Sequence, residues 1–241
     1  MELQLIDMMG DDSAIVQAAR VSYGAGTKTP SEDKALIRYL MRHWHTTPFE
    51  MVEFKFRIKC PIFVARQHFR HRTASINELS ARYSVMKNEY WIPKEFRGQS
   101  SVNKQGSDGT IDDSSMEIYS KYVESCEHSF KAYEDLITAG VARELARCVL
   151  PMSTMTEFYW KINLHNLLHY LRLRLDQTAQ QEIRELAQMI FEVLKSKLPV
   201  VAQAFQDFRL DTITFTGPEL SGAELSKGEK REFDEKKNRM P

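Results

Sequence analysis

The densest run of chemistry-bearing side chains is Gln67-His68-Phe69-Arg70-His71-Arg72-Thr73-Ala74-Ser75-Ile76-Asn77-Glu78-Leu79-Ser80-Ala81-Arg82. Arg70, Arg72 and Arg82 are permanent cations with forked donors, and the small residues among them leave backbone N–H groups open to an anion. Such a set makes a cradle for a phosphate. The plainer reading is a helix C-terminus, where each cation complements the macrodipole by ~0.3–1 kcal/mol. That reading gives no reason for the near-alternate Ser75, Asn77, Glu78, Ser80 and Arg82.

A second constellation spans Asn163 to Asp176. At helical spacing, Leu164, Leu167, Leu168, Leu171 and Leu175 form one apolar stripe. Asn163, Asn166, Tyr170 and Arg174 flank it on one side, and His165, His169, Arg172 and Asp176 on the other. His165 and His169 stand four apart, the spacing of a metal face, but Arg172 lies between His169 and Asp176 and opposes a divalent ion. Surface histidines or contacts to an organic cofactor are the alternatives to a metal, and we assign no metal ligand. Gly24-Ala25-Gly26 lacks the third glycine of G-x-G-x-x-G, and Gly26-Thr27-Lys28 lacks P-loop spacing, so neither a dinucleotide fold nor an NTPase is indicated.

The fixed pattern Arg70-His71-Arg72-x-x-Ser75-x-Asn77-Glu78-x-Ser80-x-Arg82 resembles, at every specified position, the defining motif of the flavin-dependent thymidylate synthases. The similarity extends through His45-Thr46-Thr47-Pro48-Phe49-Glu50, Pro61 to Gln67, Arg143 to Arg147, and Asn163-Leu164-His165 to Arg174. It covers roughly residues 2 to 210. The resemblance implies methylation of dUMP to dTMP, with 5,10-methylenetetrahydrofolate giving the carbon and FAD, reduced by NADPH, giving the hydride. It implies a homotetramer with active sites between subunits. It assigns Ser22, His45, Thr47, Arg70, His71, Arg72, Glu78, Asn163, Leu164, His165 and His169 to FAD. Gln67, His68, Phe69, Arg70, Glu78, Leu79, Ser80, Ala81, Arg82, Arg147 and Arg174 go to dUMP, with Ser80 and Arg82 at the phosphate. Many relatives carry Gly where this chain has Ala81, which restricts φ.

His165 and Arg174 fall on opposite sides of the helical wheel. Between subunits, one helix would then serve two different sites. Methyl transfer to C5 of uracil requires that carbon to become electron-rich. Cys60, Cys126 and Cys148 lie outside both constellations and read as buried structural thiols. Charge stabilisation on the N3/O4 side is the alternative to a cysteine adduct, and the forked donors of Arg174 suit it.

Around these residues the chain reads as a single α+β domain with a small antiparallel sheet and several long helices. Leu3 to Met8 and Phe54 to Ile58 suit strands, and Thr154 to Ile162 a strand or a helix entry. Helices are expected over Asp12 to Arg20, from an N-cap at Ser31, from Pro61 to about Arg72, over Met116 to Thr138 and Ala142 to Leu150, from Asn163 to about Asp176, and from Thr178 to Leu198 with Pro199 as a break. Residues 73 to 80 read as loop formers. Residues 97–115 read as an exposed loop and 217–241 as a charged, disordered tail beyond a domain at 1–210.

The balance of 33 Lys+Arg against 33 Asp+Glu argues against a protein that grips long nucleic acid, which needs many phosphate contacts. Salt-dependent polynucleotide binding through Arg66 to Arg82 is one rival reading, a metal hydrolase at His165 and His169 another, and a structural oligomer a third. A flavoprotein acting on another pyrimidine nucleotide is the nearest alternative. Three dispersed cysteines, no apolar run of membrane-spanning length and no signal-type N-terminus indicate a reduced, cytoplasmic compartment without membrane partners.

Overall fold

The computed structural model describes residues 1–21, 29–101, 103–111 and 115–238. In chain order its elements are β1 (Glu2–Met9), α1 (Asp12–Arg20), α2 (Pro30–Arg42), α3 (Thr47–Glu50), β2 (Glu53–Pro61), α4 (Ile62–His68), β3 (Ser75–Glu78), β4 (Arg97–Gln99), β5 (Ser107–Thr110), α5 (Ser115–Thr138), α6 (Arg143–Ala146), β6 (Met155–Asn163), α7 (Leu164–Arg174), α8 (Gln181–Lys197), α9 (Pro199–Phe205), α10 (Gly217–Ser221) and α11 (Lys227–Asn238).

The alternation of Phe54, Phe56 and Ile58 with Lys55, Arg57 and Lys59 builds a one-sided sheet. Its order is β1-β2-β6-β3, every neighbouring pair antiparallel. Residues 154 to 162, ambiguous in sequence, form the inner strand β6. Its Phe158, Trp160 and Ile162 are buried with Phe54, Phe56, Ile58 and Cys60 on one face. Residues of α1, α2, α4, α7, α8 and α9 join the same apolar cluster. Each large apolar side chain withdrawn there contributes ~1.5–3 kcal/mol. The opposite face stays charged, with Arg57 donating twice to Glu157 at 2.8 Å and Lys161 to Glu53 at 3.0 Å.

Several expectations shift. The N-cap of α2 is Thr29, not Ser31: Pro30 occupies the first turn, and Thr29 and Glu32 form a reciprocal capping box. Pro61 ends β2 and caps α4, which stops at His68 rather than Arg72. Backbone bonds from Arg70 to Gln67 and His71 to His68 tighten into three-residue turns there. The chain is thereby turned so that 75–78 becomes an edge strand, not a loop, pairing Ser75 with Lys161 and Glu78 with Phe158. Helix α8 starts at Gln181 because the Asp176 carboxylate holds Thr178 N and Oγ1 in a turn at 2.8 and 2.6 Å. The stretch from Ala142 splits into α6 and a tight turn over Arg147–Val149.

The loop expected at 97–115 contains a hairpin, β4–β5, whose turn is held by Gln99 Nε2 donating to the carbonyls of Lys104 and Gly106 at 3.2 and 3.0 Å. The tail expected to be disordered is helical in α10 and α11. Both helices start with capping boxes, Thr216 with Glu219 and Ser226 with Glu229. Lys236 reaches back to Glu219 at 2.7 Å, tying α11 to α10. Cys60 and Cys126 are buried, but Cys148 is exposed, against the expectation of three buried thiols. Among the described residues no helix is long and apolar enough to cross a membrane.

Candidate active site

Helix α7 enters the core through a cap. Asn163 Oδ1 accepts from Asn166 N at 2.9 Å and Asn166 Nδ2 at 3.0 Å. Leu164, Leu167, Leu168 and Leu171 are buried, as the stripe required, and Tyr170 is buried with them although the wheel placed it on the flank. That burial removes the side chain of Leu164 from any ligand, and Asn163 serves the helix. The two remaining flanks of α7 serve different places.

At its C-terminal end, Arg174 Nε donates to His71 Nε2 at 2.9 Å and Nη2 to the Gln67 carbonyl at 3.2 Å. Neither bond uses Nη1. Residues from α7 and from the turn after α4 thus meet, over a hundred positions apart in sequence. Burial and, secondarily, the Arg174 cation push the His71 pKa down to about 4, so it is neutral and accepts through Nε2. Arg70 and Arg72, on either side of His71, are exposed.

His68 is not available in the way the motif suggested. Its ring is fully buried against Phe158, Trp160 and Tyr170, and its Nδ1 lies 3.1 Å from the Tyr170 hydroxyl. Burial lowers its pKa to about 3, and its Nε2 and the nearby Trp160 Nε1 lack a hydrogen-bond partner. Phe69 likewise packs onto the core. The buried His68 ring leaves only its backbone open to a ligand, whereas Phe69 is only partly buried.

The other flank of α7 faces an open pocket lined by His165, Leu168, His169 and Arg172 together with Trp44, His45, Thr46 and Arg209. Thr46 lines it, whereas Thr47 is exposed at the start of α3. Trp44 has φ of 61°, a left-handed backbone uncommon for a bulky residue. The Arg209 guanidinium stacks 3.5 Å from the centre of its ring while also donating to the Met41 carbonyl. Nothing in the sequence marked Trp44 or Arg209, since a stack between positions so distant leaves no local pattern. His169 stands between the two regions, its ring 6.3 Å from that of His71.

A third group lies beyond β3. Glu78 accepts from Thr156 Oγ1 at 2.7 Å, and the Leu79 N–H reaches the Glu157 carbonyl at 2.8 Å. Ser80 Oγ then receives the Arg82 N–H at 3.3 Å, and Arg82 pairs with Glu144 of α6 at 3.3 Å. Ala81 packs on the small Met86–Tyr133–Ala146 cluster, so its methyl group is accommodated. Arg147, in the turn after α6, is exposed. Ser22 lies outside the described residues.

The donor set is cationic and imidazole-rich, and the pocket joins it to aromatic and aliphatic walls. That chemistry fits a large planar cofactor carrying phosphates. A family model described as "Thymidylate synthase complementing protein" matches residues 4–200. A flavin-dependent thymidylate synthase of Thermus thermophilus is 55% identical over 218 residues, covering 90% of this chain and 80% of that one. One from Wolbachia pipientis wMel is 52% identical over 232 residues, with 94% and 81% covered. Among solved structures, a UMP/dUMP methylase from Streptomyces cacaoi bound to 5-Br dUMP superposes with a TM-score of 0.79 at 32% identity, covering 86% of this chain and 95% of that one.

Proposed function

The chain belongs to the flavin-dependent thymidylate synthase family, and on that basis we propose that it methylates dUMP to dTMP. The co-substrates are 5,10-methylenetetrahydrofolate and NADPH, and the cofactor is FAD. FAD, when bound, supplies the hydride chemistry, and the protein supplies orientation and electrostatics. Arg70, His71, Arg72, His45, His165 and His169 hold the cofactor. Ser80 and Arg82 take the nucleotide phosphate, with Arg147 beside the nucleotide.

The observation that carries the reading is the fixed guanidinium of Arg174. Two of its donors are anchored on His71 and Gln67, which orients its plane before the nucleotide arrives. Directed at the N3/O4 side of uracil, it stabilises the negative charge that makes C5 nucleophilic. No cysteine is required. The Cys60 thiol is pushed up to about 12, chiefly by burial, and cannot present a thiolate.

Arg82 pairs with Glu144 of α6, while Arg174 of α7 pairs with His71. The assembly that the family resemblance implies is a homotetramer with its active sites between subunits. The test is the visible spectrum of purified protein before and after dUMP, with UMP as competitor and mass in solution measured by light scattering. A flavin spectrum perturbed by dUMP is expected from a tetramer. A tetramer that takes up no FAD on reconstitution would sink the reading, and preferential response to UMP would change the substrate.

A further inference from the structure

A chain of hydrogen bonds connects the hairpin to Gln67 in the last turn of α4. Arg97 Nη2, on β4, donates to Glu182 Oε1 of α8 at 2.7 Å, and Gln180 Nε2 donates to Glu182 Oε2 at 2.8 Å. Gln67 Nε2 then donates to Gln180 Oε1 at 2.5 Å, and the Gln67 carbonyl is the one that Arg174 grips. The Glu182 side chain is only 3% exposed, and that of Arg97 19%.

The order of donors and acceptors along this chain is chemically forced. A carboxylate held against a guanidinium can only accept. Gln180 must therefore turn Nε2 toward Glu182 and Oε1 toward Gln67. Gln67 must in turn donate through Nε2, which leaves its Oε1 as the acceptor for anything outside the chain. An amide is sterically near-symmetric, so without such a constraint its two orientations compete.

We propose that Arg97, Glu182 and Gln180 are positioning residues that lock the Gln67 amide with its oxygen presented to a donor group of the bound nucleotide. The proposal rests on the nucleotide reading of Gln67 given above. The hairpin is then part of the substrate-recognition apparatus, acting at second hand through a buried charge.

Gln180 is the cleanest place to cut the chain, because it is exposed and its loss leaves Glu182 still paired with Arg97. In FAD-loaded protein, Gln180→Leu is expected to raise the Kd and KM for dUMP about tenfold, with kcat changed less than about twofold. Flavin content and Tm stay at wild-type values. Arg97→Lys, which keeps the charge but loses the fork, falls between Gln180→Leu and wild type. Titration with 3-methyl-dUMP and with 2′,3′-dideoxyuridine monophosphate identifies the donor: the penalty of Gln180→Leu vanishes with the analogue that lacks it. An unchanged dUMP Kd in Gln180→Leu, or equal loss of dUMP, FAD and Tm, overturns the proposal. A penalty retained with both analogues also overturns it. If wild-type flavoprotein shows no response to dUMP, the functional reading fails first and the proposal with it.

Discussion

Arg174 and His71 fix each other's state: the guanidinium Nε–H, 2.9 Å from His71 Nε2, requires a lone pair there, so the imidazole proton sits on Nδ1. Burial, reinforced by the same cation, keeps the ring neutral down to about pH 4. A cation is thereby held in place by a neutral partner, and its charge remains undiminished for the substrate. A carboxylate in place of His71 would anchor Arg174 as well but cancel the field it exerts.

Removal of Arg174 tests this directly. Arg174→Ala should lower kcat for dUMP by ~10²–10³, the usual cost of one such electrostatic donor. Arg174→Lys should restore little, because an ammonium lacks the planar fork that reaches His71 and Gln67 together. Steady-state turnover decides the matter, and near-wild-type kcat in the alanine variant would remove Arg174 from the chemistry.

Stability should depend on pH through the buried His68 and the half-buried His71. His71 and His68 have folded pKa values of about 4 and about 3, both below the unbound imidazole at 6.5. Between about pH 3 and 6.5 the unfolded chain therefore binds more protons, and stability rises with pH across that window before levelling above it. Asp12, raised by burial, slopes the opposite way in the carboxylate range. The isolating measurement is thus a comparison: urea midpoints at pH 5 and 7.5 should differ less in His68→Leu than in wild type. An equal difference would show that His68 titrates normally in the fold.

Substitution of the exposed thiol should be silent in catalysis. Cys148→Ser is expected to keep wild-type kcat, since its sulfur only donates weakly to the Glu144 carbonyl at 3.6 Å. Loss of turnover accompanied by loss of a covalent nucleotide adduct would reinstate a cysteine mechanism.

The capping box at the head of α2 carries a stability prediction independent of the site. Thr29→Ala removes the bond to Glu32 N and should lower unfolding free energy by ~1 kcal/mol in urea titration. No change would place the start of that helix elsewhere.

Strand β2 was legible because period-2 alternation at 54–59 is a local pattern with one solution, and the α7 stripe likewise, whereas β6 was left between strand and helix entry and β3 was read as loop. The motif Arg70 to Arg82 pointed to a candidate site because its residue types exceed what a helix end needs, and the roles of its members came from the family resemblance. Tertiary facts were not legible. That His68 turns inward while His71 turns outward depends on where α4 stops, and two consecutive three-residue turns set that point. Leu164 carried both a stripe position and an implied ligand contact; its side chain fills the stripe, which leaves only its backbone for the contact. The helical tail had a readable signal, Thr216-x-x-Glu219 and Ser226-x-x-Glu229, which its high charge obscured. The Gln67–Gln180–Glu182–Arg97 chain spans three elements and leaves no trace in any one of them.

The pairing of β3 with β6 makes the spacing of the motif a matter of metre. Ser75 and Asn77 lie opposite Lys161 and Tyr159, while Ile76 and Glu78 lie opposite Trp160 and Phe158. Sliding this exposed edge by one residue would exchange the two sets, sending Glu78 away from Thr156 and Asn77 toward the buried face. Insertions or deletions between His71 and Ser80 should therefore be as intolerable as core substitutions, although most of these side chains touch solvent. The β4–β5 hairpin, tied by the Gln99 amide to the carbonyls of Lys104 and Gly106, has no such metre to keep, and a one-residue insertion beside Lys104 should cost far less than one beside Ser75.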